Sequence, residues 1–175
     1  MRKEQNVLGA LAMVLNDGIR SATDASIGMS GETAAAVMLI GANPGLTVGL
    51  VAKALSLTPS GAVRLVEKLA INGFIEKKNG VDQRTVVLSL TESGAIKRSE
   101  IQTERERVIE RSMRGLSADE ISALGPMLER MLSNLMDSAE DDYRFCRMCD
   151  EDACEPMCPV EACRSRLAEN SQIPA

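Results

Sequence analysis

Apolar residues in the first quarter of the chain recur at the spacing of amphipathic helices. Residues 3–25 present one apolar face and predict a single helix. Ser30 is placed to cap a second helix over residues 31–42, and the stretch "GANPG" ends it because Pro44 and the glycines cannot continue a helix. The apolar row of the first helix is Val7, Leu11, Val14 or Leu15, and Ile19.

Two shorter helices follow, separated by the turn "LSLTPSG". Thr47 is the predicted cap of the first, and Thr58 of the second. Pro59 then occupies the first turn of a helix, where proline is favoured. This second helix is predicted to run to about Asn72, and Gly73 is placed to end it in a left-handed cap. Its predicted buried side consists of Val63, Val66, Leu69 and Ala70.

The hydrophobic period then changes to that of β-strands. "FIEKK" and "RTVVLSL" are short, and Val86, Leu88 and Leu90 share one face. Between them lies "NGVDQ", whose Asn-Gly start is a turn signal. The pattern predicts a two-stranded hairpin with a polar tip.

Two long helices are predicted after the hairpin. Thr91 caps the first, which extends to about Met113. Ser117 and Glu120 form a capping box for the second, and Pro126 predicts a kink or a later start. The apolar row of the second is Ile121, Leu124, Leu128, Met131 and Leu135. The predicted fold is therefore mainly α with a small β-hairpin: a winged helix-turn-helix domain flanked by long helices.

Charge is distributed unevenly along the chain. The formal net charge of −5 argues at first against a nucleic-acid partner. Between Leu46 and Leu90, however, there are six basic residues and three acidic ones, which gives this segment a net charge of +3. Between Asp137 and Cys163 there are nine acidic and two basic residues, for a net of −7. One segment could therefore meet phosphates although the whole chain is acidic.

The second short helix carries the residue types that the major groove of DNA requires. Small residues at its start permit close approach, and Arg64, about two turns in, can reach guanine edges or phosphate. Lys68 lies on the same face one turn later. Basic residues of the hairpin would meet the adjacent backbone and minor groove. The predicted DNA-binding residues are Thr58, Ser60, Gly61, Arg64, Lys68, Lys77, Lys78 and Arg84.

The stretch "LTPSGAVRLVEKLAINGFIEKKNGVDQRTVVLSLTESG", with its flanking helices, resembles the MarR-type transcriptional regulators over roughly residues 5–140. The specific parts are the ending "L-x-x-x-G-F-I-E" of the recognition helix, the D-x-R of the wing and the opening "LSLTESG" of the next helix. The resemblance implies a homodimer with interlocked N- and C-terminal helices and a double-stranded, pseudo-palindromic DNA operator. It also implies that Arg84 enters the minor groove while Asp82 holds it. Members of the family are mostly repressors, released by a small ligand or by cysteine oxidation.

These expectations divide the chain into a MarR-like regulator domain over 1–140 and a Cys-rich acidic C-terminal extension over 141–175. Within the first part, the winged helix covers about 30–90, and dimerisation helices cover about 3–25 and 91–140. The outer helices carry more apolar surface than so small a domain can hide, which also favours a dimer. Two alternatives stay open: a winged-helix module that contacts protein, and a thiol or iron–sulfur redox protein with no DNA role.

An enzyme is not expected. The chain has no histidine, no Gly-rich phosphate loop after a strand and no plausible nucleophile–base pair. Asp141 and Asp142 are interpreted as part of a solvated acidic face. Arg2 and Lys3 before an apolar stretch only loosely imitate a signal peptide, because the helical pattern continues past Asp17. No apolar run reaches the roughly 18 residues of a membrane span. A cytoplasmic location, with thiols kept reduced, is therefore predicted.

All the cysteines lie near the C-terminus, spaced C-x2-C-x4-C-x3-C-P with Cys163 beyond. A C-x2-C pair can wrap one metal ion, so a metal site is predicted at Cys146, Cys149, Cys154 and Cys158, with Cys163 as a possible alternate ligand.

Zinc is the first candidate, because four thiolates would staple a segment that has no core of its own. An iron–sulfur cluster is the second, since the final C-P is similar to bacterial ferredoxin loops, although their spacing differs. A thiol switch and a tail without any ligand also stay open. The acidic neighbours are expected to raise the pKa of the thiols, which favours metal over a reactive thiolate.

Overall fold

The computed structural model describes residues 2–80, 85–154 and 157–170. It confirms the expected fold class, mainly helical with a small antiparallel sheet. The elements in chain order are α1 (Lys3–Ile27), α2 (Thr33–Ala42), β1 (Leu46–Thr47), α3 (Val48–Ala54), α4 (Pro59–Ile71), β2 (Ile75–Asn79), β3 (Val86–Leu90), α5 (Glu92–Ser112), α6 (Ala118–Ser133), α7 (Asp142–Cys146) and α8 (Pro159–Asn170). Single 3₁₀ turns lie at Ala139–Asp141 and Asp152–Cys154.

Helix α2 occupies the centre of the fold. Every residue from Thr33 to Ile40 is buried, as expected for a helix that is apolar on all sides. It contacts α1, α3, α5 and β3. The predicted Ser30 cap is wrong: the helix begins after Glu32, which makes no side-chain cap. The Thr33 hydroxyl instead donates to the carbonyl oxygens of Met29 and Ser30, each at 3.3 Å.

The sheet has three strands in the described residues, not the two that were predicted. Strand β3 lies in the middle and pairs antiparallel with both β1 and β2. The register places Leu46 opposite Leu88, and both side chains are buried. Strand β1 is only two residues long, so it is too short to show a period in the sequence. It forms because the chain leaving α2 passes along the free edge of β3.

The start of α5 fastens the hairpin to the end of α4. Thr91 caps α5 as predicted, accepting from the Gly94 amide at 3.0 Å, while its hydroxyl donates to the Gly73 carbonyl at 2.6 Å. The Thr91 amide donates to the Phe74 carbonyl at 3.1 Å. Gly94 sits directly against that carbonyl, where any added Cβ would overlap the oxygen.

Helix α6 begins at the predicted capping box. Ser117 accepts from the Glu120 amide at 3.3 Å, and the Glu120 carboxylate accepts from the Ser117 amide at 2.8 Å. The later start that Pro126 suggested is wrong, because the helix continues through this proline. The end helix α8 was not predicted, since its residues show little amphipathic period.

Replacing Gly94 by alanine should lower the free energy of unfolding by about 1–3 kcal/mol, because the methyl group would force α5 away from Phe74. Denaturant unfolding at fixed protein concentration measures this. The matched control is Gly49→Ala in α3, where a Cβ would meet only Thr47 Oγ1 at 3.9 Å. That control should be neutral or stabilising by up to about 1 kcal/mol. Equal stability of Gly94→Ala and the wild type would contradict the account of this contact.

Candidate DNA-binding surface and cysteine cluster

The N-terminus of α4 is built from small residues that cap one another. The Thr58 hydroxyl accepts from the Gly61 amide at 3.1 Å and lies 3.3 Å from the Ser60 hydroxyl. A Cβ on residue 61 would lie 3.0 Å from Thr58 Oγ1. Glycine therefore keeps the cap intact and leaves the first turn narrow, which lets backbone approach a partner surface closely.

One face of α4 is open to solvent along its whole length. Ser60, Arg64 and Lys68 are exposed on this face, as the sequence predicted. Neither Arg64 nor Lys68 makes an ion pair with another described residue. Val63 lies on the same face and is 49 % exposed, so its predicted burial is wrong. The residues of α4 that face the core are Ala62, Val66 and Leu69. Because Ala62 is small, α4 can lie close to the core.

A strained turn sets the direction of α4 relative to α3. Ser56 has φ 52°, in the left-handed region that favours glycine. The Leu57 amide donates back to the Ala52 carbonyl at 2.8 Å, and the Ser56 amide to the Lys53 carbonyl at 3.2 Å. These bonds end α3 and reverse the chain within a few residues. The two helices therefore meet as a helix-turn-helix pair.

The hairpin lysines each have a carboxylate partner. Lys77 Nζ lies 2.5 Å from Glu67 Oε1 on the exposed face of α4, and Lys78 Nζ lies 2.5 Å from Glu76 Oε1. The first pair joins β2 to α4 directly. Exposed ion pairs contribute only ~0–1 kcal/mol, so a phosphate could replace either carboxylate. The predicted wing residues Asp82 and Arg84 lie outside the described residues.

Comparison with known proteins finds a family that is similar to this part of the chain. A model of the MarR family matches residues 27–85, which contain α2 to α4 and β2. Over these residues the chain is similar to the MarR family. A comparison with curated protein sequences finds no match.

Solved structures of transcriptional regulators share the fold over most of this chain. The FabT protein of Streptococcus pneumoniae, solved in complex with DNA, is 22% identical, with a TM-score of 0.63 and coverage of 76% of this chain and 97% of that one. A putative MarR family regulator of Listeria monocytogenes, complexed with 26mer DNA, is 22% identical, with a TM-score of 0.61 and coverage of 82% and 93%. The transcriptional regulator SlyA is 23% identical, with a TM-score of 0.60 and coverage of 82% and 99%.

The cysteines follow α6, and α7 at their start contacts α3. Four of the thiols neighbour one another in a chain. The Cys146 thiol is hydrogen-bonded to those of Cys149 and Cys158, and the Cys154 thiol to that of Cys158. Cys163 stands apart: it is buried and its thiol donates to the Ser133 carbonyl at 3.7 Å. In the described part of the chain, no three Cys, Asp or Glu side chains are arranged as they stand to hold a metal ion.

The thiols differ in how readily they ionise. The hydrogen bond from Cys146 lowers the pKa of Cys149, and the nearby charges of Arg105 and Arg147 lower it further. The same hydrogen bond, with burial, raises the pKa of Cys146. Burial, followed by the Cys158 and Cys149 charges, raises the pKa of Cys154. The expectation that acidic neighbours raise every thiol pKa is therefore wrong for Cys149. No local pattern in the sequence indicates that Arg105, on a distant helix, lies beside it.

Across the described residues, no helix has the length and apolar content to cross a bilayer.

Glu67→Gln should raise affinity for duplex DNA, because it removes a carboxylate from the exposed face of α4 and frees Lys77 for phosphate. The gain should be largest at low salt, and fluorescence anisotropy across a salt series measures it. Glu110→Gln removes the same charge from α5 and should change affinity less. A loss of affinity confined to particular sequences would instead show that Glu67 accepts from cytosine.

Proposed function

We propose that the chain is a cytoplasmic, homodimeric transcriptional repressor that inserts α4 into the major groove of a pseudo-palindromic DNA operator. The observation that carries this proposal is the exposed face of α4, where Ser60, Arg64 and Lys68 follow a close-fitting cap. Bidentate arginine contacts read guanine, and lysine meets phosphate. The paired lysines of β2 flank the same face, so the basic surface continues onto the wing.

A second copy of the chain is the proposed partner of α6. Helix α8 packs beside α6, and Glu129, Arg130 and Ser133 line an open cleft between the two helices. The opposite side carries an apolar stripe with no cover among the described residues, and α6 has no buried residue at all. The exposed members of the stripe are Ile121, Leu128, Met131, Leu132 and Leu135. A stripe of this length is stable in water only when a matching surface buries it.

Helix α1 supplies a matching surface. Val7, Leu11 and Val14 are exposed along one side of it. Further along, α1 and α5 enclose an open groove of about 780 Å³ lined in part by Leu11, Val14 and Val108. In the proposed dimer, the α6 stripe of each protomer packs on the α1 side of its partner. The two α4 helices are then held at a fixed separation, as a two-fold symmetric operator requires.

Repression follows from occupation of the operator, since a dimer bound across a promoter excludes polymerase sterically. The proposed signal input is the C-terminal cysteine group, which lies against the domain that carries α4. In vitro transcription from a promoter overlapping a selected operator tests the repressor role: added protein should reduce transcript in proportion to operator occupancy. An increase in transcript would identify an activator instead.

Arg64→Ala should weaken binding to a selected operator by ~1–3 kcal/mol and relax base preference at one position of each half-site. Lys68→Ala should weaken binding to all sequences alike and reduce the salt dependence. The operator is obtained by repeated selection from random duplexes, and affinity is measured by anisotropy. Lys3→Ala, which removes the same charge from the first turn of α1, is the control. Failure of the wild type to retain any duplex at low salt would favour a protein-binding winged helix, to which exposed Val63 and Ile71 would contribute.

Leu128→Asp should raise the dimer dissociation constant by roughly 100-fold or more, because an uncompensated charge in the interface costs about 3–5 kcal/mol. Sedimentation equilibrium measures it. Ser122→Asp places the same charge on the same helix, away from the stripe, and should leave the dimer intact. A Leu128→Asp variant that sediments as the wild type does would remove α6 from the interface.

A further inference from the structure

The cysteine segment, defined as the described residues 142–154 and 157–163, touches both of the parts to which a function is proposed. On one side, Val160 and Cys163 pack with Met136 at the end of α6. On the other side, Tyr143 and Met148 pack against the main core. Helix α7 contacts α3, and Arg144 and Phe145 line a cleft of about 320 Å³ with Leu55 and Ser56. The segment therefore lies between the dimerisation helix and the turn that orients α4.

An arginine of α5 anchors this segment. Arg98 Nη2 lies 2.6 Å from Glu151 Oε2. Glu151 itself lies between Cys149 and Cys154 in the sequence. The stem of Arg98 crosses Gly41 of α2 so closely that a Cβ there would overlap it. Arg105, two turns further along α5, lies near the Cys149 thiol. Two guanidinium groups of one helix thus face the cysteines.

The segment has very little apolar material to hold it in place. Its own cluster contains three buried residues, Met136, Val160 and Cys163, with Phe145, Cys146, Cys158 and Leu167 against them. This cluster is small, and the segment from residue 137 to 163 carries a net charge of −7. A cross-link that joins its turns would supply the missing constraint.

Four thiols stand where such a cross-link is needed. Cys146 ends α7, and Cys149 follows in a turn closed by the bond from its amide to the Cys146 carbonyl at 2.9 Å. Cys154 ends a 3₁₀ turn, and Cys158 directly precedes α8. The side-chain contacts run from Cys149 through Cys146 and Cys158 to Cys154. Three separate turns therefore bring these thiols into a chain of pairwise contacts, although no three of them are arranged in the described residues as a metal ion would require.

We infer that Cys146, Cys149, Cys154 and Cys158 bind one zinc ion as a tetrathiolate centre. An all-sulfur, closed tetrahedral set is typical of structural zinc, and it holds sulfur atoms roughly 3.8 Å apart, which is close to thiol contact distance. Binding draws the four sulfurs from a chain of contacts into a tetrahedron, and the thiol protons pass to solvent. Arg105 and Arg147 stand beside the resulting negative charge. Cys163, directed to Ser133, is not a ligand.

The consequence for DNA rests on the proposed function. Zinc would fix the cysteine segment as one body between the end of α6 and the Ser56 turn. The separation and tilt of the two α4 helices in the dimer are then tied to the metal. Loss of zinc releases this connection and weakens operator binding.

Metal analysis of full-length protein, purified without oxygen and in the presence of reductant, tests the centre. The expected result is about one zinc per chain. Exchange for cobalt(II) should give the visible bands and the thiolate charge-transfer absorption of a tetrahedral sulfur site. Cys149→Ser and Cys154→Ser should each abolish the cobalt spectrum, while Cys163→Ser should retain it. Iron–sulfur absorption, or metal-free protein with disulfides among these cysteines, would overturn the zinc assignment.

Alkylation of the wild-type chain provides a readout that does not depend on folding of the variants. Zinc should protect Cys146, Cys149, Cys154 and Cys158 from iodoacetamide, and chelation should expose all four together. Peptide mass spectrometry identifies the modified positions. Equal labelling of these cysteines with and without added zinc would exclude the centre.

Fluorescence anisotropy with the selected operator duplex tests the effect of zinc on DNA binding independently of the existence of the zinc centre. Chelation should weaken binding about 5-fold or more, within the usual range of coupling between sites, and zinc should restore it. Unchanged affinity in protein that demonstrably loses zinc would overturn the coupling. Absence of DNA binding by the zinc-loaded protein would instead overturn the proposed function and leave the metal result intact.

Discussion

The fold depends on the burial of one helix that has no polar side. Residues Thr33 to Ile40 of α2 are buried without interruption, so apolar surface must surround them in every direction. Helices α1, α3 and α5 and strand β3 do this. The outer sides of these elements form the rest of the molecule, since α1 and α5 enclose a groove, α3 leads to the recognition helix, and β3 carries the wing. The same core therefore fixes both the proposed dimer surface and the proposed DNA surface.

Basic and acidic residues are concentrated in different segments of this acidic chain. The winged segment carries a net of +3, while the segment from residue 137 to 163 carries −7. Left free, so acidic a segment would compete with DNA for the basic surface. Its attachment through Arg98 and Glu151, together with the packing of Tyr143 and Met148, ties it to the core at α5 and α3. Local pairing thus limits how far the negative segment can reach.

Much of the fold could be predicted because local signals agreed with the tertiary structure. The Thr47, Thr58, Thr91 and Ser117 caps each form the expected bond, and Gly73 has φ 75°. Such signals depend only on neighbouring residues, so they can be recognised from the sequence without knowledge of the tertiary structure. The Ser30 prediction failed because the helix begins only at Thr33, with Glu32 at the N-cap position. The Val63 prediction failed because Ala62 occupies the position that faces the core.

The remaining features arise from contacts between distant parts of the chain. Strand β1 forms because it pairs with β3. Arg105 lowers the pKa of Cys149 because α5 lies near the cysteine segment. The spacing of the cysteines predicted that they act together, but it did not predict which helices they would lie between. That position follows from Arg98, Tyr143 and Met148, none of which has a recognisable local pattern.

The exposure of α6 also makes the stability of the protein against degradation depend on its concentration. None of its 16 residues is buried within one protomer, and a lone helix of this length is marginal in water. In the proposed dimer its stability would come largely from assembly, and each tenfold dilution lowers the free energy of an assembly-coupled fold by about 1.4 kcal/mol. Newly made chains at low copy number would spend more time open to proteases than chains in a well-stocked cell. Degradation would then slow as the regulator accumulates, which makes its steady-state level respond more than proportionally to its rate of synthesis.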